Sequence, residues 1–168
     1  MKTLVWVALF GLLTACGGAV TVRMQSAEPQ KEGLLARVQV NDMRTAMVTS
    51  QRSTFGMPMG NISFDPPEPQ LVKNLLEVEL TRILRGKGVQ SPQDYVCDIA
   101  EFGVSTTNTA LYWDVTGRVR LVLKHDGKEY SLVGTHTERT YVWPGESIVK
   151  KVVDESLKQI TVGLEQVS

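Results

Sequence analysis

Leu111-Tyr112-Trp113-Asp114-Val115-Thr116-Gly117-Arg118-Val119-Arg120-Leu121-Val122-Leu123-Lys124-His125-Asp126-Gly127-Lys128-Glu129-Tyr130-Ser131-Leu132-Val133-Gly134 is the stretch that decides the fold. Its odd positions from Leu111 to Leu123 are mostly apolar, and its even positions carry Tyr112, Asp114, Thr116, Arg118 and Arg120. That alternation predicts a long strand with one buried and one wet face. Asp126-Gly127 then predicts a two-residue hairpin turn. The turn fixes a register: Lys124 opposite Glu129, Leu123 opposite Tyr130, Leu121 opposite Leu132 and Val119 opposite Gly134. Apolar groups meet on one face and an opposite-charge pair lands on the other, so pattern and turn agree.

The return strand is expected to run to about Val142, and a helix to start near Pro144-Gly145-Glu146-Ser147. Ile148, Val149, Val152, Val153, Leu157, Ile160 and Leu164 form its apolar stripe, with Lys150, Lys151, Glu155 and Lys158 opposite. Upstream, Tyr95 to Val104 reads as a strand whose phase conflicts with itself. Cys97 and Ile99 on one parity and Phe102 and Val104 on the other all ask to be inside, which a bulge near Glu101 would reconcile.

A first helix is predicted over Pro69 to Arg85, with Leu71, Val72, Leu75, Leu76, Leu80, Ile83 and Leu84 on one face and Gly86 as its stop. Glu77 and Glu79 read as part of its solvated side. Leu34 to Met43 alternates as the first firm strand. The Arg44 to Glu68 segment, with Gly56-Met57-Pro58-Met59-Gly60 and Asp65-Pro66-Pro67, reads as a long irregular loop. The order strand, loop, helix, three strands, helix predicts an α+β two-layer sandwich, a mainly antiparallel sheet with two amphipathic helices on one face.

The N-terminus carries a different message. Lys2 precedes an apolar run from Leu4 to Leu13, about ten residues. At ~1.5 Å per helical residue this covers ~15 Å, half a ~30 Å hydrocarbon core, too short to span it. The run closes in Leu13-Thr14-Ala15-Cys16, the pattern of a bacterial lipoprotein signal. Residues 1–15 are thus expected to be removed and Cys16 lipidated, and Gly17 after it points to the outer membrane. Residues 16–33, polar and punctuated by Pro29 and Gly33, read as a tether broken by a strand-like Val20-Thr21-Val22. Residues 34–168 would form a single periplasmic domain.

Composition excludes several classes. The 168 residues are 42% hydrophobic, as in a folded domain, and hold 18 basic and 18 acidic residues; loss of Lys2 with the signal leaves a net charge of about −1. No basic excess points to nucleic acid. With Cys16 lipidated, Cys97 is a lone thiol, read as a small buried residue of its strand. His125 at the turn is expected to be exposed and His136 to lie at the core edge. Neither sits in a metal-spacing or triad pattern, no Gly-rich phosphate loop is present, and no catalytic or cofactor residue is predicted. Trp113 is inside by parity, whereas Tyr112 and Tyr141 are not strictly core. Trp143 stands at the strand-to-helix corner. The 44–68 loop, through Met47, Phe55, Met57 and Met59, is the candidate contact with a partner protein, since thioethers pack adaptably; a soft-metal role has no histidine or cysteine near it to complete a site.

The layout resembles the YajG-like family of bacterial lipoproteins. The resemblance rests on Leu13-Thr14-Ala15-Cys16, the strand through Val38-Gln39-Val40, the helix from Leu71 to Arg85-Gly86-Lys87-Gly88, the strands from Tyr112 to Asp126-Gly127 and the helix after Pro144. It implies an envelope lipoprotein with no catalytic residues; the Met/Pro segment departs from the pattern. A sheet backed by two helices also looks like the auxiliary lipoproteins of ABC-type lipid transport and the lipopolysaccharide-assembly lipoprotein, at the level of fold alone. The expected function is a non-enzymatic accessory or binding module of an envelope assembly, held at the periplasmic face of the outer membrane. The alternative is a lipid- or glycan-binding auxiliary subunit of an envelope transport system.

Overall fold

The computed structural model describes residues 19–26, 33–44, 50–54 and 57–166. Seven strands form one mixed sheet: β1 (Val20–Arg23), β2 (Ala36–Asp42), β3 (Ser50–Thr54), β4 (Met57–Asp65), β5 (Gln93–Asn108), β6 (Trp113–His125) and β7 (Lys128–Thr140). Two helices, α1 (Glu68–Gly86) and α2 (Glu146–Leu164), cover one face. The order is β1-β4-β3-β5-β6-β7, and β2 shares the β3 edge of β5. The fold is the α+β two-layer sandwich expected.

The β6–β7 hairpin has the predicted register throughout, including Lys124 with Glu129, Leu121 with Leu132 and Val119 with Gly134. Asp126 and Gly127 both take positive φ, 49° and 73°, as this turn requires. On β5 the ladder to β6 slips between Ile99 and Glu101. That bulge lets Cys97 and Ile99 before it, and Phe102 and Val104 after it, all point into the core. Burial pushes the Cys97 thiol up to about 12, with the Asp98 carboxylate adding to it, so this cysteine is an inert packing residue.

The sheet is less uniformly antiparallel than its hairpins suggest. The β3–β4, β5–β6 and β6–β7 ladders are antiparallel, whereas β2 runs parallel to β5 and β1 parallel to β4. The chain leaves β2, makes the β3–β4 hairpin and crosses over through α1, so it returns to β5 in the same direction.

Three sequence expectations are corrected. The 44–68 segment is not a loop, because it contains β3 and β4. Ile62 and Phe64 alternate into the core between the exposed Asn61, Ser63 and Asp65. Among the described residues β4 has a neighbour on one side only at Pro58, through β3, the position that tolerates proline in a sheet. Within the 16–33 segment the strand-like Val20-Thr21-Val22 is β1, and because it joins the sheet with Val22 and Met24 buried, residues 20–24 belong to the domain rather than to a tether. Finally, Leu111 belongs to the turn before β6 rather than to the strand, and is 77% exposed.

α2 lies directly on the hairpin at two glycines. A Cβ on Gly134 would meet the Ser156 carbonyl oxygen at 2.0 Å, and one on Gly117 the Val152 carbonyl oxygen at 2.7 Å. The fully buried Ser156 hydroxyl sits between the Gly117 and Val152 carbonyls, at 3.1 and 2.8 Å. α1 packs beside β2 and seals its outer edge. Thr81 Oγ1 accepts from the Leu35 and Ala36 amides at 3.2 and 3.1 Å, and Glu77 Oε1 accepts from the Val38 amide at 3.2 Å. Glu77 is therefore buried structural machinery and not a solvated carboxylate; its neighbour Glu79 pairs with Arg82 at 2.8 Å.

Candidate functional site: the uncovered face of the sheet

The helices lie on one face of β5, β6 and β7, and among the described residues no element covers the opposite face. On it β6 presents Asp114, Thr116, Arg118, Arg120, Val122 and Lys124, the even parity read from the sequence. Most of the charges there are committed across strands. Lys124 Nζ reaches Asp98 at 2.8 Å and Glu129 at 3.4 Å; that bond and a second from Asn41 hold the Asp98 carboxyl below its usual range. Arg139 pairs with Asp114 at 2.8 Å and lowers that carboxyl likewise. Thr116 and Thr137 share a hydroxyl bond of 2.9 Å.

Arg118 and Arg120 are different. Both are exposed, and among the described residues neither forms an ion pair or side-chain hydrogen bond. Arg118 stands opposite Gly103 on β5, and Arg120 opposite Glu101 at the bulge. With no side chain on Gly103 the face sinks into a trough of about 460 Å³, bordered by Ala100 to Ser105, Thr116, Arg118, Arg120 and Arg44. Arg44 is a fixed wall: its guanidinium binds Asp42 at 2.8 and 2.5 Å, the Phe102 carbonyl at 3.2 Å and Glu68 at 3.3 Å. The Asp42 bond, chiefly, raises its pKa and lowers that of the aspartate. Two uncommitted guanidiniums beside a half-apolar trough can hold a carboxylate or phosphate through bidentate bonds.

The histidines are structural in their contacts. His125 is not exposed as expected; its ring stacks on Tyr95 at 4.3 Å and Nδ1 meets the Asp94 carbonyl at 3.0 Å. His136 lies at the core edge, with Nε2 2.9 Å from Glu138, whose same oxygen takes Lys151 at 2.7 Å. Among the described residues no group of His, Cys, Asp or Glu is placed to hold a metal ion. A hollow of about 540 Å³ between α1 and α2 is lined by charges already paired, such as Lys150 with Asp154 at 2.5 Å.

Of the residues singled out in the sequence, Cys16, Met47 and Phe55 lie outside the described residues. Met57 and Met59 fall on β4, with Met57 opposite Thr54, so they belong to a hairpin rather than a free loop. Arg118, Arg120 and Gly103 carried no motif, and a free arginine on a wet strand face has no signature in one dimension. Trp113 is half-buried, its Nε1 buried without a hydrogen-bond partner, and its ring meets Trp143 edge-on at 5.9 Å.

No family model matches the chain, and no curated protein matches it. One solved structure, described only as "Crystal structure of uncharacterized protein", is similar at 15% identity over 89% of this chain and 99% of the other. Its TM-score is 0.47, a likeness too loose to carry an argument. Among the described residues no helix is long and apolar enough to cross a membrane.

Proposed function

We propose that this chain is an outer-membrane lipoprotein, lipidated on Cys16 and facing the periplasm, that serves as a non-enzymatic accessory or binding module of an envelope assembly. The YajG-like resemblance belongs to this reading. The observation that supports it is the asymmetry of the domain: one sheet face sealed by α1 and α2, the other bare, with Arg118 and Arg120 uncommitted beside the Gly103 trough. A photo-crosslinking side chain at Thr116 in intact cells should trap a discrete envelope protein, and one at Lys158 on α2 should not. Equal adducts from both positions, or none from Thr116, would remove the reason for assigning the bare face to a partner.

The second reading, a lipid- or glycan-binding auxiliary subunit of a transport system, is favoured by one feature. The trough joins two guanidiniums to apolar wall, the pairing an acidic headgroup or sugar acid needs. Anionic lipid or glycan co-purifying with the protein, and lost in Arg118→Ser/Arg120→Ser, would select it over a protein partner.

A further inference from the structure

The two ends of the β6–β7 hairpin are chemically opposite. One is the turn His125-Asp126-Gly127-Lys128-Glu129, which is polar throughout. At the other, Leu111 is 77% exposed, Tyr141 73% and Val142 71%, and Trp143 is also exposed. These residues form a connected surface: Tyr112 and Tyr141 meet edge-on at 6.3 Å, and the Arg139 guanidinium lies 3.7 Å over the Tyr112 ring. Among the described residues the other large exposed apolar side chains, Met43, Val133 and Val162, are scattered singly, as on any protein surface.

β1 points away from this same end. β1 is parallel to β4, which is antiparallel to β3, and β3 runs with β5. β1 therefore points away from the end of the sheet where β5 and β7 finish and β6 begins, the end that carries Leu111 and Tyr141, and Val20, paired with Ile62 and so level with Ser50 and about Val104, lies roughly four residues inside that end. A separate contact agrees. The Arg23 amide donates to Glu146 Oε1 at 3.1 Å in the first turn of α2, just after the Trp143 corner, and Gln25 then lies alongside Ser147 and Lys150. From Arg23 the chain runs forward along α2, so Val22 back to Val20 lead toward the aromatic end. Only three residues, 17–19, separate Cys16 from Val20, and the four steps between them reach at most ~14 Å at ~3.3–3.6 Å per residue.

We propose that the surface made by Leu111, Tyr112, Tyr141, Val142 and Trp143 is seated in the interfacial layer of the bilayer that holds Cys16, so that the domain stands on this end with its bare sheet face turned sideways. The proposal rests on the lipid-anchored reading above. Tyrosine and tryptophan suit that layer, with an apolar ring for the acyl boundary and a polar tip for the headgroups. The short leash supplies the proximity, and the aromatic end supplies the second attachment that fixes orientation.

The test uses the lipidated mature protein in phosphatidylcholine/phosphatidylglycerol vesicles. Its only indoles are Trp113 and Trp143, because Trp6 leaves with the signal. The expected result is flotation with the vesicles, a blue-shifted emission, and loss of emission when the acyl chains are brominated. Leu111→Ser/Tyr141→Ser/Val142→Ser, all exposed positions, should float equally and keep its near-ultraviolet circular dichroism while losing the bromine quenching. Flotation without bromine quenching, and with iodide still quenching the indoles, overturns the proposal and leaves the anchor standing. Iodide protection that depends on protein density and not on bromine assigns the end to a second copy, and also overturns it. Absence of flotation overturns the anchor and the proposal together.

Discussion

A single methyl group at residue 134 would land 2.0 Å from the Ser156 carbonyl, inside any contact that real Cβ atoms make. The obstacle is helix backbone, which cannot rotate aside as a side chain can. Gly134→Ala is therefore expected to lift α2 off the hairpin and cost about 3 kcal/mol or more, the upper range for overpacking. Gly117→Ala, at 2.7 Å from Val152, should cost less, and Gly86→Ala, with nothing within 4 Å, should stay within about 0.5 kcal/mol. Urea unfolding followed by far-ultraviolet circular dichroism ranks the three; an equal response from Gly134 and Gly86 would contradict the packing described. Sequence parity alone places both Gly117 and Gly134 on the inward face. What it cannot say is why a strand should hold a glycine there, because the reason is a helix that arrives later in the chain.

Among elements, legibility follows the strength of the local signal. The β6–β7 hairpin is spelled out by alternation and Asp-Gly together, and the bulge in β5 by a clash of parities that only an extra residue resolves. β3 and β4 hide behind Gly60, Pro58 and the methionines, residues that usually punctuate loops; the short Ile62/Phe64 alternation is the signal that survives. The Glu77/Thr81 pair hides differently. On a helix drawn as a wheel these are polar positions, yet here they face the amides of β2, an edge that would otherwise expose unpaired donors. Thr81→Val keeps the shape and removes the acceptor for two amides, one of them buried. It should cost about 2 kcal/mol, the penalty for leaving a buried donor unsatisfied. Faster exchange of the Leu35 and Ala36 amides, with those on β6 unchanged, would locate the damage at that edge. Unchanged exchange there would mean that the helix does not hold β2.

At the scale of the whole molecule, the decisive element is the shortest one. A tether over 16–33 would let the domain tumble at a distance from the membrane, whereas β1 makes residues 20–23 part of the sheet, three residues after Gly17. Val22 and Met24 are buried in the common core, and β1 covers the Ile62–Asp65 edge of β4. Removing residues 17–33 from the mature chain should therefore do more than free it. The loss of two buried side chains at about 1.5–3 kcal/mol each amounts to a large part of the stability of a domain this size. The urea midpoint of the chain starting at Leu34 should fall well below that of the chain starting at Gly17, both compared without lipid. Val22→Ala in the longer chain should recover a sizeable part of that difference by itself. Equal midpoints for the two lengths would make 17–33 a passive leash, and the proposed approach of a lipid anchor to the Trp143 end would lose its mechanical basis.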